Sequence, residues 1–177
     1  MKWKYKQTPS IQIKSNTTEQ YITDSQIMPW NIQELRTGRS ELKIMTSQRD
    51  LLVICLQETM CSNEKQTING YTVYHRKRDN GNRAAGGVIT AVKSEIDSQE
   101  IDILTDLEAA AVKVGSPINL SVLNIYLPPG RLFCTSEIVN LLKQIPKPLL
   151  IVGDINAHHP HHRNPTTRVQ EGKSSKK

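Results

Sequence analysis

The stretch from Leu149 to Asn156 restricts the possible folds of this chain more than any other segment, because an apolar run ends abruptly in polar residues. Leu149 to Val152 form a short continuous apolar run with β-branched members, which predicts a strand buried on both faces. Gly153 then lets the backbone turn, since it has no Cβ. Asp154 and Asn156 would follow at the rim of a sheet, where layered α/β proteins build their sites. The alternative is that both are ordinary turn formers.

The same pattern recurs upstream, and this recurrence favours a site over a set of turns. Three further apolar runs end in polar groups, and the side chains that follow them are Asn31, Glu58 and Tyr126. If aligned strand ends bring these groups together with Asp154 and Asn156, the result is an oxygen-rich set that suits Mg²⁺ or Mn²⁺. Such a metal polarises a phosphoryl oxygen while a second carboxylate positions the attacking water.

Periodicity and turn residues divide the chain into many strands and two helices. The predicted strands are 25–31, 51–56, 71–75, 85–92, 107–114, 118–126 and 149–152, and the predicted helices are 39–49 and 136–144. Consecutive strands can pair as hairpins, which predicts an α/β (α+β) layered sandwich rather than a doubly wound parallel sheet. We expect a disordered or loose polar extension over 1–25, a partial domain over 26–160 and a basic tail over 161–177.

Size, cysteine content and hydropathy point to one intracellular domain. The 177 residues are enough for a single domain with a core. Three cysteines with no C-x-x-C pair fit a reducing compartment. No apolar run is long enough to span a bilayer, and the N-terminus has no signal-peptide core, so neither a membrane nor secretion is expected.

Positive charge is concentrated in both ends of the chain and in one loop. Residues 1–14 contain four lysines and no acid, and residues 163–177 contain five cations and one acid. The loop 75–83 places Arg76, Lys77, Arg78 and Arg83 against a single aspartate. This distribution suits contact with a polyanion such as DNA. Solubility alone is an equally good explanation of the basic ends.

Five motifs occur in an order that resembles the endonuclease–exonuclease–phosphatase superfamily. They are Trp30-Asn31, Leu56-Gln57-Glu58-Thr59, Gly86-Gly87-Val88, Asn124-Ile125-Tyr126-Leu127-Pro128-Pro129 and Gly153-Asp154-Ile155-Asn156-Ala157-His158-His159. Within it, the chain is most similar to the apurinic-endonuclease-like domain of jockey-type non-LTR retrotransposons. The resemblance covers roughly residues 27–160 and implies a four-layered sandwich of two mixed sheets flanked by helices.

The resemblance also implies a chemistry and assigns roles to individual residues. The implied reaction is Mg²⁺-dependent cleavage of DNA phosphodiester bonds (Mn²⁺ serving as an alternative metal), without a small-molecule cofactor and, for an active enzyme, in the nucleus. By position, Asn31 and Glu58 would be metal ligands and Asp154 would orient or deprotonate the water. Asn156 would hold the phosphate and Tyr126 would contact it.

One departure from the family pattern leaves alternatives open. The pattern continues after Gly-Asp-x-Asn to a terminal Ser-Asp-His, whereas this chain continues into a histidine cluster, His158 to His162, and a basic tail. The departure predicts a C-terminally truncated, weakly active domain. The alternatives are a catalytically inactive remnant that binds nucleic acid non-specifically and, less well supported, a sugar- or lipid-phosphate phosphatase. A dedicated metal site in the histidine cluster is a further, weaker option.

Overall fold

Two four-stranded β-sheets pack face to face, and each has one helix on its outer face. The computed structural model describes residues 11–14, 19–22, 26–61, 66–77, 86–131 and 134–156. The elements, in chain order, are β1 (Ile11–Lys14), β2 (Glu19–Ile22), β3 (Ile27–Asn31), α1 (Leu35–Gln48), β4 (Val53–Gln57), β5 (Tyr71–Arg76), β6 (Val88–Lys93), β7 (Ser98–Ile101), β8 (Glu108–Val114), β9 (Leu120–Leu127), α2 (Thr135–Lys143) and β10 (Leu149–Ile155). The predicted layered α/β sandwich of two mixed sheets is confirmed.

The first sheet has the order β3-β4-β6-β5. Strands β3 and β4 are parallel and are connected through α1, whereas β6 pairs antiparallel with both β4 and β5. β3 lies at the edge of this sheet with Pro29 exposed, as expected for a residue that cannot donate to a strand ladder. The side of the sheet that faces the second sheet is apolar for most of its length, with Val53, Cys55 and Val92 fully buried.

The second sheet has the order β10-β9-β8-β7. β8 and β9 form the predicted antiparallel hairpin, with Val114 opposite Leu120, and β10 pairs parallel with β9. Strand β7 is not predicted because its sequence, Ser-Gln-Glu-Ile, has neither an apolar run nor an alternating pattern. The short strands β1 and β2, also not predicted, pair with each other as a separate antiparallel sheet.

The prediction that the Leu149–Val152 strand is buried on both faces is wrong. β10 is the edge strand of its sheet in the described part of the chain, and β9 is its partner there. Leu150 and Val152 pack towards the first sheet, whereas Ile151 and Ile155 on the other face are 46% and 52% exposed. Helix α2 packs over the outer face of β8 and β9, and Leu149 at the start of β10 joins that cluster, whereas Ile151 and Ile155 farther along the same face stay open to solvent.

Helix α1 begins four residues earlier than predicted, at Leu35 instead of 39. Leu35 and Leu42 are buried against the outer face of the first sheet, two turns apart on one side of the helix. A Cβ on Gly38 would lie 2.4 Å from a side-chain carbon of Ile32, so this glycine allows the helix to approach the preceding loop. The sequence pattern predicts this glycine at the start of the helix. Its place within the helix depends on the close approach to Ile32, a tertiary contact that the local pattern does not contain. The second helix agrees with its prediction within one residue.

Strand β6 also differs from its prediction, because it begins at Val88 and the preceding glycines form a loop. Gly86 and Gly87 both have positive φ, at 61° and 85°. Their carbonyls accept hydrogen bonds from Met60 and Thr59, which directly follow Glu58. Among the described residues no helix has the length and apolarity needed to cross a membrane.

Candidate active site

Strand ends from both sheets meet at one rim of the sandwich, and polar side chains gather there. Asn31 ends β3 and Glu58 follows β4 in the first sheet, while Tyr126 and Asp154 lie near the ends of β9 and β10 in the second. The recurring apolar runs predict neighbouring strands with aligned ends. The structure instead divides these strands between two sheets that face each other, and the contacts between the polar groups cross from one sheet to the other.

The first such contact joins Asn31 and Asp154. The Asn31 side-chain Nδ2 donates to Asp154 Oδ2 over 2.8 Å, although the two residues are 123 positions apart in the chain. The Asn31 Oδ1 accepts a hydrogen bond from the backbone N–H of Gln33 over 3.2 Å, which orients the amide. Both side chains are only partly buried, so a ligand can approach the Asp154 carboxylate from solvent.

The second contact joins Tyr126 and Glu58. The Tyr126 hydroxyl donates a very short hydrogen bond to Glu58 Oε1. Tyr126 is 5% exposed and pairs in register with Asp154 on β10. Burial, and after it the hydrogen bond to Glu58, raise the pKa of Tyr126 well above its ordinary value, and the charges of Glu58, Glu108 and Asp154 act in the same direction. The phenol therefore stays protonated at neutral pH and serves as a donor to Glu58.

Glu108 is a member of this cluster that the sequence analysis missed. It opens β8, directly opposite Tyr126 in the β8–β9 ladder, and is 4% exposed. Its Oε2 accepts a hydrogen bond from the backbone N–H of Gly87 over 2.6 Å. A Cβ on Gly86 would lie 2.2 Å from the same oxygen, so the glycine pair makes room for the carboxylate. The available signal was an acid at the first position of a strand whose next four residues are all apolar.

The remaining predicted site residues are placed as follows. Asn156 follows β10, and its Nδ2 donates to the backbone carbonyl of Leu127 over 3.2 Å. Arg76 and Lys77 are exposed at the end of β5. The other basic residues of that loop, Arg78 and Arg83, lie outside the described residues, as does the histidine cluster from His158 to His162.

A groove with several cationic side chains adjoins the rim. It has a volume of about 800 Å³, and Glu108 links it to the cluster around Tyr126. The remaining residues that line it are Arg76, Lys77, Thr105, Asp106, Leu107, Pro128, Pro129, Gly130 and Arg131. Arg131 donates from Nη1 to the backbone carbonyl of Asp106 over 3.0 Å, which holds this side chain beside the groove. Three cations, Arg76, Lys77 and Arg131, thus line the groove together with two acids, Asp106 and Glu108.

The oxygen donors at the rim suit a metal ion that takes only one or two ligands from the protein, rather than one that is fully enclosed by protein ligands. In the described part of the chain, no three His, Cys, Asp or Glu side chains form a ready-made ligand set. Mg²⁺, however, keeps several of its waters and often takes only one or two carboxylates from the protein. The half-buried Glu58 carboxylate and the Asn31 amide oxygen, at the ends of the adjacent strands β4 and β3, offer that number of oxygen ligands.

A family model described as Endonuclease/Exonuclease/phosphatase family matches residues 30–171 of this chain. Among curated proteins, the chain is similar to the RNA-directed DNA polymerase from mobile element jockey of Drosophila melanogaster, with 27% identity over 140 residues, 77% of this chain and 15% of that protein. The probable RNA-directed DNA polymerase from transposon X-element of the same organism is 24% identical over 140 residues, covering 75% and 15%. The chain thus spans about one seventh of the length of these relatives.

Solved structures share the fold. The 3'-5' exonuclease NExo from Neisseria meningitidis superposes with a TM-score of 0.55 at 17% identity, over 73% of this chain and 57% of that one. The Xenopus laevis APE2 catalytic domain gives a TM-score of 0.53 at 20% identity, over 75% of this chain and 59% of that one. At these identities the likeness concerns the arrangement of sheets and helices.

Proposed function

This chain belongs to the endonuclease/exonuclease/phosphatase family, and from that premise we propose that it is a retrotransposon-type endonuclease domain that nicks DNA with the help of Mg²⁺. The proposal is supported by the curated relatives of this chain, which are RNA-directed DNA polymerases of mobile elements. The observation that carries it is the pair of contacts across the sandwich, Asn31 to Asp154 and Tyr126 to Glu58. Together they gather amide, carboxylate and phenol groups from four strands at one solvent-accessible rim.

The proposed roles combine the family resemblance with the contacts that each residue makes. Asn31 and Glu58 would hold the metal, and a bound Mg²⁺ supplies Lewis-acid polarisation of a phosphoryl oxygen. The Asp154 carboxylate would accept the proton of the attacking water, whose oxygen bonds to phosphorus as the bond from phosphorus to the 3'-oxygen breaks. The released 3'-oxygen takes a proton from solvent and leaves as the 3'-hydroxyl. Tyr126 keeps Glu58 oriented through its donated hydrogen bond. The Asn156 Nδ2 has two N–H groups, so it can bond Leu127 and still donate to a phosphate oxygen.

The groove beside the rim suits a DNA strand. Arg76, Lys77 and Arg131 line it, and cations that face phosphates provide affinity without selecting a sequence. We propose that the phosphodiester backbone runs along this groove and brings one phosphate to Glu58 and Asp154. DNA binding is then sequence-tolerant and depends strongly on salt. An active enzyme of this kind would work in the nucleus.

The direct test is relaxation of supercoiled plasmid by the purified chain. We expect slow conversion to nicked circles that requires Mg²⁺, is partly supported by Mn²⁺ and stops on addition of EDTA. Product ends bearing a 3'-hydroxyl and a 5'-phosphate would agree with water attack on the phosphodiester. Nicking that continues at the same rate in EDTA would contradict the metal-dependent mechanism.

A second candidate function is a catalytically inactive, non-specific nucleic-acid-binding domain. It is favoured by the cationic side chains of the groove, Arg76, Lys77 and Arg131, because they can bind phosphates without any hydrolysis at the rim. If the folded chain binds DNA but releases no nicked circles over long incubation in Mg²⁺ or Mn²⁺, this second function replaces the first.

The cationic groove leads to a prediction on salt dependence. Replacing both Arg76 and Lys77 with alanine is expected to lower the slope of log Kd against log salt by about two, because each lost phosphate contact removes nearly one released counterion. The measurement is a fluorescence-anisotropy titration of duplex DNA at several salt concentrations. Lys113→Ala with Lys147→Ala is the matched control: both residues are exposed and lie at the strand ends far from the rim. Equal slopes for the two double variants would exclude the groove as the DNA contact.

A further inference from the structure

Two buried polar side chains meet between the sheets directly beneath the candidate active site. Gln57 ends β4 and immediately precedes Glu58, and Asn124 lies two residues before Tyr126 on the same face of β9. They are 1% and 0% exposed. The next positions along these strands towards the opposite end of the sandwich are apolar, with Cys55 on β4 and Val122 on β9.

The two amides form a hydrogen-bonded link across the sandwich. The Gln57 Nε2 donates to Asn124 Oδ1 over 2.8 Å and to the carbonyl of Cys55 over 2.9 Å. The Asn124 Nδ2 donates to the backbone carbonyls of Leu56 over 3.2 Å and Ile89 over 2.9 Å. The side chain of Asn124, a residue of the second sheet, is therefore hydrogen-bonded to the Gln57 side chain and a backbone carbonyl of β4, and to a backbone carbonyl of β6. We name Gln57 and Asn124 the amide link.

The amide link specifies how the two sheets are aligned, which an apolar contact would not do. Apolar side chains pack in several relative positions with similar energy, whereas these amides are satisfied only when their partners lie within hydrogen-bond distance. Sliding β9 along β4 would leave buried N–H groups without acceptors. The link is one residue from Glu58 and two from Tyr126, so little backbone separates it from the contact that it would position.

We propose that Gln57 and Asn124 are positioning residues that set β4 against β9 and thereby hold Glu58 against the Tyr126 hydroxyl in the candidate active site. The inference rests on the proposed function for its catalytic consequence, but the geometric claim concerns the folded chain alone. Neither residue contacts the substrate in this scheme, because both are buried beneath the rim.

The test replaces the amide link by an apolar pair. In Gln57→Met with Asn124→Leu, neither amide remains, so no buried side-chain donor of the link is left unpaired and the sheets can still pack. The single variant Gln57→Met is a milder second test, since Asn124 keeps both of its donated bonds. Thr90→Val is the matched control: Thr90 is fully buried on β6, and its hydroxyl has no hydrogen-bond partner in the described part of the structure.

The first readout needs no enzymatic activity. Chain labelled with ¹³Cζ-tyrosine gives a Tyr126 signal, assigned with Tyr126→Phe, that reports whether the hydroxyl donates to Glu58. At one fixed pH we expect the double variant to move this signal most of the way to its position in Glu58→Ala, and Gln57→Met to move it part of the way. Thr90→Val should leave it unchanged. An unchanged signal in a folded double variant would overturn the inference, whether or not the parent chain nicks DNA.

The second readout is kinetic and applies if the parent is active. A displacement of about 1 Å at a catalytic group costs about 10²-fold in rate. We therefore expect kcat of the double variant to fall by about that factor while KM stays close to the parent value, because the basic groove is untouched. A rise in KM with unchanged kcat would contradict positioning of Glu58. If the parent chain does not nick DNA, the proposed function is wrong. The NMR readout then decides by itself whether the amide link positions Glu58.

Discussion

Glu58→Gln is expected to lower the rate of Mg²⁺-dependent plasmid nicking by about 10²- to 10⁴-fold, the loss that follows removal of one catalytic or charge-stabilising group. The substitution keeps the size of the side chain and an oxygen that can accept the hydrogen bond from Tyr126. What it removes is the negative charge that would hold a divalent metal. The expected loss is therefore one of metal affinity and turnover, with the fold preserved.

The measurement compares initial nicking rates over a range of Mg²⁺ concentrations, together with the free energy of unfolding in urea. Glu100→Gln is the matched control, because Glu100 is an exposed carboxylate on β7, the far edge of the second sheet. We expect the control to nick at the parent rate and all three proteins to unfold at similar urea concentrations. If Glu58→Gln nicked as fast as the parent, Glu58 would not be a metal ligand.

Gly153→Ala is expected to lower the free energy of unfolding by about 2–4 kcal/mol, a large share of the stability of a domain of this size. A Cβ at this position would lie 1.8 Å from the carbonyl oxygen of Ile125 on the neighbouring strand, and φ is +152°. Two costs therefore add: overpacking against the β9 backbone and an unfavourable backbone conformation for a residue with a side chain. β10 would have to move away from β9 and take Asp154 with it.

The control for this prediction separates the two costs. Gly70 also has a positive φ, at +80°, but nothing lies within 4 Å of a Cβ built there. Gly70→Ala is expected to cost only the conformational part, about 1 kcal/mol. Urea unfolding of both variants gives the comparison. If both variants lost the same free energy of unfolding, the contact between a Cβ at position 153 and the Ile125 carbonyl would add no cost.

The helix and strand predictions differ in how well they match the structure, and the differences have physical causes. The run Leu51–Leu56 was recognisable because a strand buried on both faces needs continuous apolar residues. β7 was missed because an edge strand with polar side chains leaves no such pattern. The burial of Leu149–Val152 differs from its prediction for a related reason: Leu149 packs against the α2 cluster, but among the described residues nothing covers the apolar Ile151 two positions farther along the same face of β10. The domain boundaries at 26 and 160 and the roles of Arg78 and Arg83 stay predictions.

What the sequence alone determined is the identity of the groups at the rim. Asn31, Glu58, Tyr126 and Asp154 each lie at or just past the end of an apolar run, and the ends of buried strands are where a sheet can place polar groups close to water. The motif order and the family membership follow from the same residues.

What only the tertiary structure decided is which of these groups meet. The Tyr126–Glu58 contact joins residues that are 68 positions apart, and the Asn31–Asp154 contact joins residues that are 123 positions apart. Such contacts depend on how two sheets are stacked, and local periodicity contains no information about that stacking. For the same reason Glu108 and the amide link of Gln57 and Asn124 could not be assigned from their neighbours in the chain. A buried polar side chain acquires its role from the partner across the sheet that satisfies it, and for Glu108 and Asn124 those partners lie on other strands or the loop before β6.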